Sequence, residues 1–154
     1  MADEEERPTV QLFVYQGAIE APACAPLPPP RPMRIRGYRL AFAEGNEYFG
    51  PVFTLAAIRG DATVPGVVYE LDAICVDVLV EMYGAAEYHL TEVHLEAITP
   101  GRGGATVPAM AFMLERESTQ TAATPREIDL TNLRAVWQNW GLDTGAIDHA
   151  FENP

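Results

Sequence analysis

The closest approach to a metal-binding set in this sequence lies between positions 89 and 96. His89, Glu92, His94 and Glu96 supply imidazole and carboxylate groups, which are common zinc ligands. The last three occupy every second position of an alternating segment, so they share the solvated face of a predicted strand. We therefore predict no metal site and no cofactor.

Motifs of several large enzyme classes are absent. The sequence contains no Gly-x-Ser-x-Gly, no P-loop and no dinucleotide fingerprint. The glycine-rich segment Gly101 to Gly104 lies between two predicted strands, so we interpret it as a hairpin turn. Trp137 and Trp140 stand three residues apart on a predicted helix, as is ordinary for a helix that packs on a sheet.

The two cysteines, Cys24 and Cys75, are far apart in the sequence. One lies in a proline-rich segment and the other in an apolar run, which is typical neither of a metal site nor of a disulfide framework. We predict that Cys75 is a small buried hydrophobic residue.

Length and charge limit the classes of partner. The chain has 154 residues and a net charge of −12, with ten arginines and no lysine. Nucleic-acid binding needs clustered cations, and the one cluster is Arg31, Arg34, Arg36 and Arg39, so we predict no nucleic-acid partner.

No segment approaches the roughly 20 apolar residues of a membrane span. We predict a cytoplasmic protein without a membrane partner. Residues 1–9 are predicted to be an acidic tail and residues 10–154 a single domain, of the usual size for one domain. The sequence leaves the oligomeric state open, with a homodimer as one possibility.

Apolar periodicity indicates which elements position the chemistry. The predicted strands are Val10 to Tyr15, Arg34 to Ala43 with a bulge at Gly37, Val52 to Ile58, Val64 to Glu70, Tyr88 to Ile98 and Thr106 to Leu114; the predicted helices are Asp72 to Met82, Asp129 to Gly141 with Gly141 as the cap, and Thr144 to Phe151. Ala21 to Pro32 contains six prolines and is predicted to be an extended loop without regular helix.

These segments predict an α+β fold. Three consecutive strands from position 34 to 70, with a turn at Arg59 to Asp61, indicate an antiparallel meander. We expect a small, mainly antiparallel barrel or curved sheet with two or three helices. The turn that follows the first strand, at Gly17, is a place where a site can form.

The order of the segments resembles the γ-glutamylcyclotransferase, or AIG2-like, family over positions 10 to 151. The matching blocks are LFVYQGA at 12–18, IRGYRLAF at 35–42, FGPVFTL at 49–55, VPGVVYELD at 64–72, YGAAEYHLTEV at 83–93 and LTNLRAVWQNWGLDTGAID at 130–148. The resemblance implies binding of a γ-glutamyl amine or amino acid by backbone N–H groups after the first strand. In this chain those residues are Tyr15, Gln16, Gly17 and Ala18.

The resemblance also implies a glutamate that takes a proton from the substrate amine, which then closes 5-oxoproline. Counted without gaps, that position holds Tyr83, and the aspartate before it is replaced by Val80. Glu81 and Glu87 are the nearby carboxylates. We take Glu81 as the candidate catalytic base and Tyr83 as a candidate pocket residue.

Two hypotheses follow. In the first, the chain is an enzyme of γ-glutamylcyclotransferase type that releases 5-oxoproline with Glu81 as the base. In the second, it is a catalytically degenerate member that binds a small molecule or a partner protein. The loss of both motif acids adds weight to the second, because a fold does not by itself carry an activity. The sequence leaves both hypotheses open, and the enzyme is the first of them.

Overall fold

A computed structural model describes residues 8–43, 52–58, 60–85, 88–98, 106–114 and 124–152; of these, residue 152 is described by its backbone alone. Outside the described residues lie positions 1–7 of the acidic tail predicted for residues 1–9, together with Arg59, Glu87 and the turn at Gly101 to Gly104. Thr9, the last residue of that predicted tail, is the first residue of a strand.

The described residues form seven strands, three α-helices and one 3₁₀ turn at Pro22–Cys24. The strands are β1 (Thr9–Val14), β2 (Arg31–Arg36), β3 (Tyr38–Ala43), β4 (Val52–Ala57), β5 (Thr63–Asp72), β6 (Tyr88–Ala97) and β7 (Val107–Leu114); the helices are α1 (Ala73–Gly84), α2 (Glu127–Asn139) and α3 (Gly145–Glu152). The segment 21–32 holds that single short turn and no longer helix, as its prolines predict.

Five strands close into a barrel in the order β1-β5-β2-β6-β7. All neighbours are antiparallel except β1 and β7, which run parallel where the barrel closes. Strands β3 and β4 form a separate antiparallel pair. The predicted α+β class with a mainly antiparallel barrel is confirmed.

Two details of the predicted sheet are wrong. The segment 34–43 is two strands in different sheets, divided at Gly37, whose φ of 87° is readily adopted only by glycine. The meander is also wrong, because β4 pairs only with β3 among the described strands, whereas β5 pairs with β1 and β2. Local alternation located extended segments, but it carries no information about where a strand changes sheet or which strand is its neighbour.

Burial follows the predicted periodicity in β6 and α2, whereas α1 leaves the apolar residues Ile74 and Met82 exposed. Val93 and Leu95 are buried, whereas Glu92 and His94 are exposed. Helix α1 begins after Asp72, whose carboxylate accepts a hydrogen bond from the Ile74 N–H at 2.9 Å. Helix α2 ends before Gly141, which has a φ of 80° and is the expected glycine cap.

Two buried hydrogen bonds attach the β3–β4 pair to the barrel. The Tyr88 hydroxyl donates to the Phe53 carbonyl, and the Leu114 N–H donates to the Thr54 Oγ1 at 3.1 Å. Thr54 is fully buried, so its hydroxyl requires a partner inside the protein. These contacts bring β4 beside the ends of β6 and β7 and create space between the two sheets.

Contrary to the sequence prediction, Cys24 and Cys75 form a disulfide. The bond joins the 3₁₀ turn of the proline-rich segment to the first turn of α1. Both residues are buried, so the prediction of a buried Cys75 is correct, although its chemical state was not foreseen. Folding brings together two residues whose separation in the sequence gave no sign of pairing.

A charged cluster bridges the outer face of β2 and β6. Arg34 and Arg36 both lie 2.8 Å from the carboxylate of Glu96. Hydrogen bonds from Arg36 are the largest cause of a Glu96 pKa lowered to about 2. Glu96, which was predicted to lie on the solvated face of its strand, is therefore paired across the two strands with both arginines.

We predict that reduction of the disulfide destabilises the protein. The bond closes a loop of 51 residues, and such a bond contributes about 2 to 4 kcal/mol, chiefly by restricting the unfolded chain. A thiol titration in denaturant without reductant should detect no free thiol, and reductant should lower the melting temperature. In the Cys24→Ser, Cys75→Ser double variant, reductant should have no effect. Two free thiols in the unreduced protein would contradict the assignment.

The Glu96 cluster should make stability depend on pH. Because the folded pKa of Glu96 is below the unfolded value of about 4.3, its contribution is complete above that pH and disappears as pH falls towards 2. Glu96→Gln should therefore lower the melting temperature at pH 7 and have progressively less effect from pH 5 to pH 2. Glu92→Gln, on the exposed face of the same strand, is the control. A Glu96→Gln effect that is equal at pH 7 and pH 2 would refute this account.

Candidate functional site

A cavity of about 260 Å³ lies where β1 ends, between the loop after β1, the β3–β4 pair and α2. Its described lining residues are Gln16, Gly17, Phe42, Val52, Phe53, Tyr88, Asp129, Asn132, Leu133 and Val136. A larger cavity is present beside α3, but it contains none of the predicted site residues. The smaller cavity is the candidate site because two of the predicted ligand-binding residues line it.

Tyr15 has a structural role beneath this cavity. Its side chain is completely buried, and its hydroxyl donates to the Phe112 carbonyl on β7 at 2.6 Å. Burial raises the pKa of the Tyr15 hydroxyl far above its ordinary value, so the group stays protonated. Tyr15 does not line the cavity; it fixes the start of the loop that does.

The same residue anchors helix α2. The Trp137 indole donates to the Tyr15 carbonyl at 2.8 Å, and the Trp137 side chain is fully buried. Leu133, one turn earlier on this helix, is also buried and lines the cavity. The helix is thereby held against the end of β1, with Asp129 and Asn132 at the cavity.

The loop after β1 carries backbone hydrogen-bond donors that the described residues do not satisfy. Within the described part of the chain, the backbone N–H groups of Gln16, Gly17 and Ala18 have no hydrogen-bond partner. A Cβ placed on Gly17 would contact nothing within 4 Å, so the space beside it is open. Consecutive N–H groups of this kind can bind an anion.

Gln16 adds a polar side chain at the same place. Its Oε1 accepts a hydrogen bond from the Tyr15 N–H at 3.1 Å, which holds the amide group at the cavity. The side-chain amide nitrogen has no partner among the residues that the structure describes. Gln16 and Gly17, two of the predicted ligand-binding residues, line the cavity, whereas Ala18 is exposed and lies outside the cavity lining.

Three polar lining residues were not predicted from the sequence: Tyr88, Asp129 and Asn132. Tyr88 is buried and its pKa is raised by burial, so its hydroxyl remains protonated. Asn132 is exposed at the cavity edge. Asp129 and Asn132 lie three residues apart on one helix face, which is a signal that periodicity could have given, although only the fold shows what they face.

Asp129 is already engaged at the start of α2. Its carboxylate accepts hydrogen bonds from the Arg126 N–H at 2.9 Å and from the Arg126 guanidinium at 3.2 Å. These side-chain hydrogen bonds are the main cause of its lowered pKa. A carboxylate with a lowered pKa is a weak proton acceptor, so Asp129 is better suited to hold a positive charge than to remove a proton.

Glu81 and Tyr83 lie apart from the cavity lining. Glu81 is exposed on α1. Tyr83 is half-buried, with its ring edge-on to Phe112 at 4.7 Å and to Tyr88 at 5.8 Å. Burial is the largest cause of the raised pKa of Tyr83, and the negative charge of Glu20 raises it further. Tyr83 therefore supports Tyr88 through aromatic packing, and Tyr88 is the member of the pair that lines the cavity.

The described residues contain no group of three or more histidine, cysteine, aspartate or glutamate side chains that could hold a metal ion. None of the described helices is long and apolar enough to cross a membrane.

Comparison with known proteins gives matches by structure alone. No family model and no curated protein matches the chain. An uncharacterized protein from Homo sapiens superposes with a TM-score of 0.71 at 16% identity, over 92% of this chain and 86% of the other. A γ-glutamyl cyclotransferase superposes with a TM-score of 0.71 at 16% identity, over 93% of this chain and 86% of the other.

A Bacillus subtilis protein, YkqA, is also similar, with a TM-score of 0.68 at 14% identity over 99% of this chain and 57% of that protein. Identities this low establish the arrangement of elements and leave the activity open. The resemblance read from the sequence blocks is thus confirmed as a likeness of fold: this chain has the fold of the γ-glutamylcyclotransferases.

Proposed function

We propose that this protein binds a small γ-glutamyl amine or amino acid in the cavity at the end of β1, and that it does so without Glu81 acting as a catalytic base. The observation that carries the proposal is the row of backbone N–H groups at Gln16, Gly17 and Ala18 that have no partner among the described residues. Two of these residues line the cavity.

The lining suits both ends of such a ligand. The loop N–H groups and the Gln16 amide nitrogen can donate to an α-carboxylate. Asp129 and the side-chain oxygen of Asn132 can accept from an α-ammonium group. Apolar residues on the other walls, Phe42, Val52 and Val136 among them, can contact the methylene groups of the γ-glutamyl chain.

Proton transfer is the part of cyclotransferase chemistry that the described lining supports poorly. A general base must reach the proton and have a pKa close to the working pH. Asp129 lines the cavity, but hydrogen bonds from Arg126 lower its pKa. Glu81 is exposed and outside the lining. These positions favour a binding protein over the enzyme hypothesis.

The fold provides independent support for the ligand class, since a neighbour of TM-score 0.71 is named a γ-glutamyl cyclotransferase. The alternative is an active enzyme that releases 5-oxoproline with Glu81 as base. The other role considered for a degenerate member is binding of a partner protein, and the described residues offer no comparable feature in its favour. The homodimer remains a prediction.

The cytoplasmic location also stays a prediction. The Cys24–Cys75 disulfide weighs against it, because disulfides are rare in proteins kept in a reducing cytosol. Thiol titration of protein taken directly from its native cells distinguishes a disulfide from two reduced cysteines.

Ligand binding should depend on Asn132. We expect γ-glutamyl amines or γ-glutamyl dipeptides to bind in isothermal titration calorimetry, and Asn132→Ala to weaken the affinity by about 5- to 10-fold through the loss of one hydrogen bond. Gln138→Ala is the matched control, since Gln138 is exposed on the same helix and does not line the cavity. Equal effects of the two substitutions would refute the proposal, as would the failure of every γ-glutamyl amine and dipeptide tested to bind.

Turnover should be weak or absent and should not depend on Glu81. General acid–base catalysis is worth about 10² to 10⁴ in rate, so loss of a true base would be conspicuous. We expect 5-oxoproline release to be equally low for wild type, Glu81→Gln and Glu87→Gln. Robust release by wild type that falls at least 100-fold in Glu81→Gln would instead establish the enzyme hypothesis.

A further inference from the structure

A second and larger cavity, of about 760 Å³, lies between β3, the start of β5 and α3. Its volume falls within the range of pockets that enclose small molecules. The walls are mainly apolar, with Leu40 from β3, Val64 from β5 and Ala150 from α3 among the lining residues. Leu40 and Val64 are each 1% exposed, so the inner wall is part of the hydrophobic core.

This cavity is distinct from the γ-glutamyl cavity. The described lining residues of the two have no member in common. Aromatic side chains pack between the two cavities. The Phe53 ring, which lines the first cavity, has its centroid 4.7 Å from that of Phe42 and 5.9 Å from that of Phe151 on α3. The second cavity therefore needs an explanation of its own.

The charge at the opening is unusual for this protein. The net charge of the chain is −12, yet the charged side chain in the described lining is that of Arg39, and no carboxylate belongs to it. Arg39 is an exposed residue of this lining, as is His149. Within the described part of the chain, Arg39 forms no ion pair. A local excess of positive charge above an apolar interior matches a ligand with an anionic head and an apolar body.

Hydrogen-bonding groups occur at the same opening. Tyr38 and Thr63, which are half-buried and line the cavity, each carry a hydroxyl. A guanidinium group is suited to a carboxylate, because arginine presents paired N–H donors in one plane. The described apolar residues of the lining offer no partner for a second charge.

We propose that this cavity binds a small carboxylic acid with an apolar body, such as an aryl-alkanoic acid. The carboxylate pairs with the Arg39 guanidinium at the opening, and the apolar body lies against Leu40, Val64 and Ala150. Transfer of the body from water to these walls provides the affinity, and the pair with Arg39 provides selection for the acid.

Calorimetric titration of the full-length protein with 4-phenylbutyrate and its uncharged analogue 4-phenylbutyramide tests this proposal. We expect the acid to bind at least 10-fold more tightly than the amide. Arg39→Gln should remove that preference, because a charge-assisted pair is lost. Arg31→Gln is the matched control: Arg31 is exposed on β2, donates to Gln11 at 2.8 Å and does not line the cavity.

A second variant tests the apolar walls. Ala150→Leu should reduce the affinity for both probes at least 10-fold by occupying part of the cavity, whereas Asn132→Ala in the other cavity should leave both affinities unchanged. A melting temperature near that of wild type verifies that each variant is folded. Equal binding of acid and amide to wild type, equal effects of Arg39→Gln and Arg31→Gln, or no binding at millimolar concentration would overturn the proposal.

Discussion

Two buried hydrogen bonds at Tyr15 determine how the rest of the molecule is arranged. The hydroxyl donates to the Phe112 carbonyl on β7, and the carbonyl accepts from the Trp137 indole on α2. Strand β1, strand β7 and helix α2 are therefore joined at one residue. Since the side chains of Tyr15 and Trp137 are fully buried, each polar group needs its partner, and loss of either bond would leave an unsatisfied group in the core.

This arrangement decides what the loop after β1 can do. With Tyr15 fixed from below, the following N–H groups have no described partner, and the Gln16 amide is held beside Gly17. Consecutive N–H groups of this kind can bind an anion through backbone geometry, which tolerates sequence change. Proton transfer depends on individual side chains, and here the lining carboxylate of Asp129 is held by Arg126 with a lowered pKa.

The β3–β4 pair gives the molecule its second cavity. On β3, Tyr38 and Leu40 line the larger cavity and Phe42 lines the smaller one. These three residues alternate along the strand, so they lie on the same face. Helices α2 and α3 cover successive parts of this face, and the Phe42, Phe53 and Phe151 rings pack where the two parts meet. One sheet face therefore contributes to two chemically different cavities.

The sequence by itself determined the fold class and most elements, because apolar periodicity records which side of each strand or helix is buried. It also placed Gln16 and Gly17 in a turn at the end of a strand. It did not determine that Gly37 divides two sheets or that Cys24 meets Cys75, since pairing between distant segments depends on how the barrel closes. Tertiary structure alone also decided that polar residues of β6 and α2 line the cavity and that Glu81 lies outside its lining. The spacing of residues determines which side chains share a face, whereas packing determines what that face contacts.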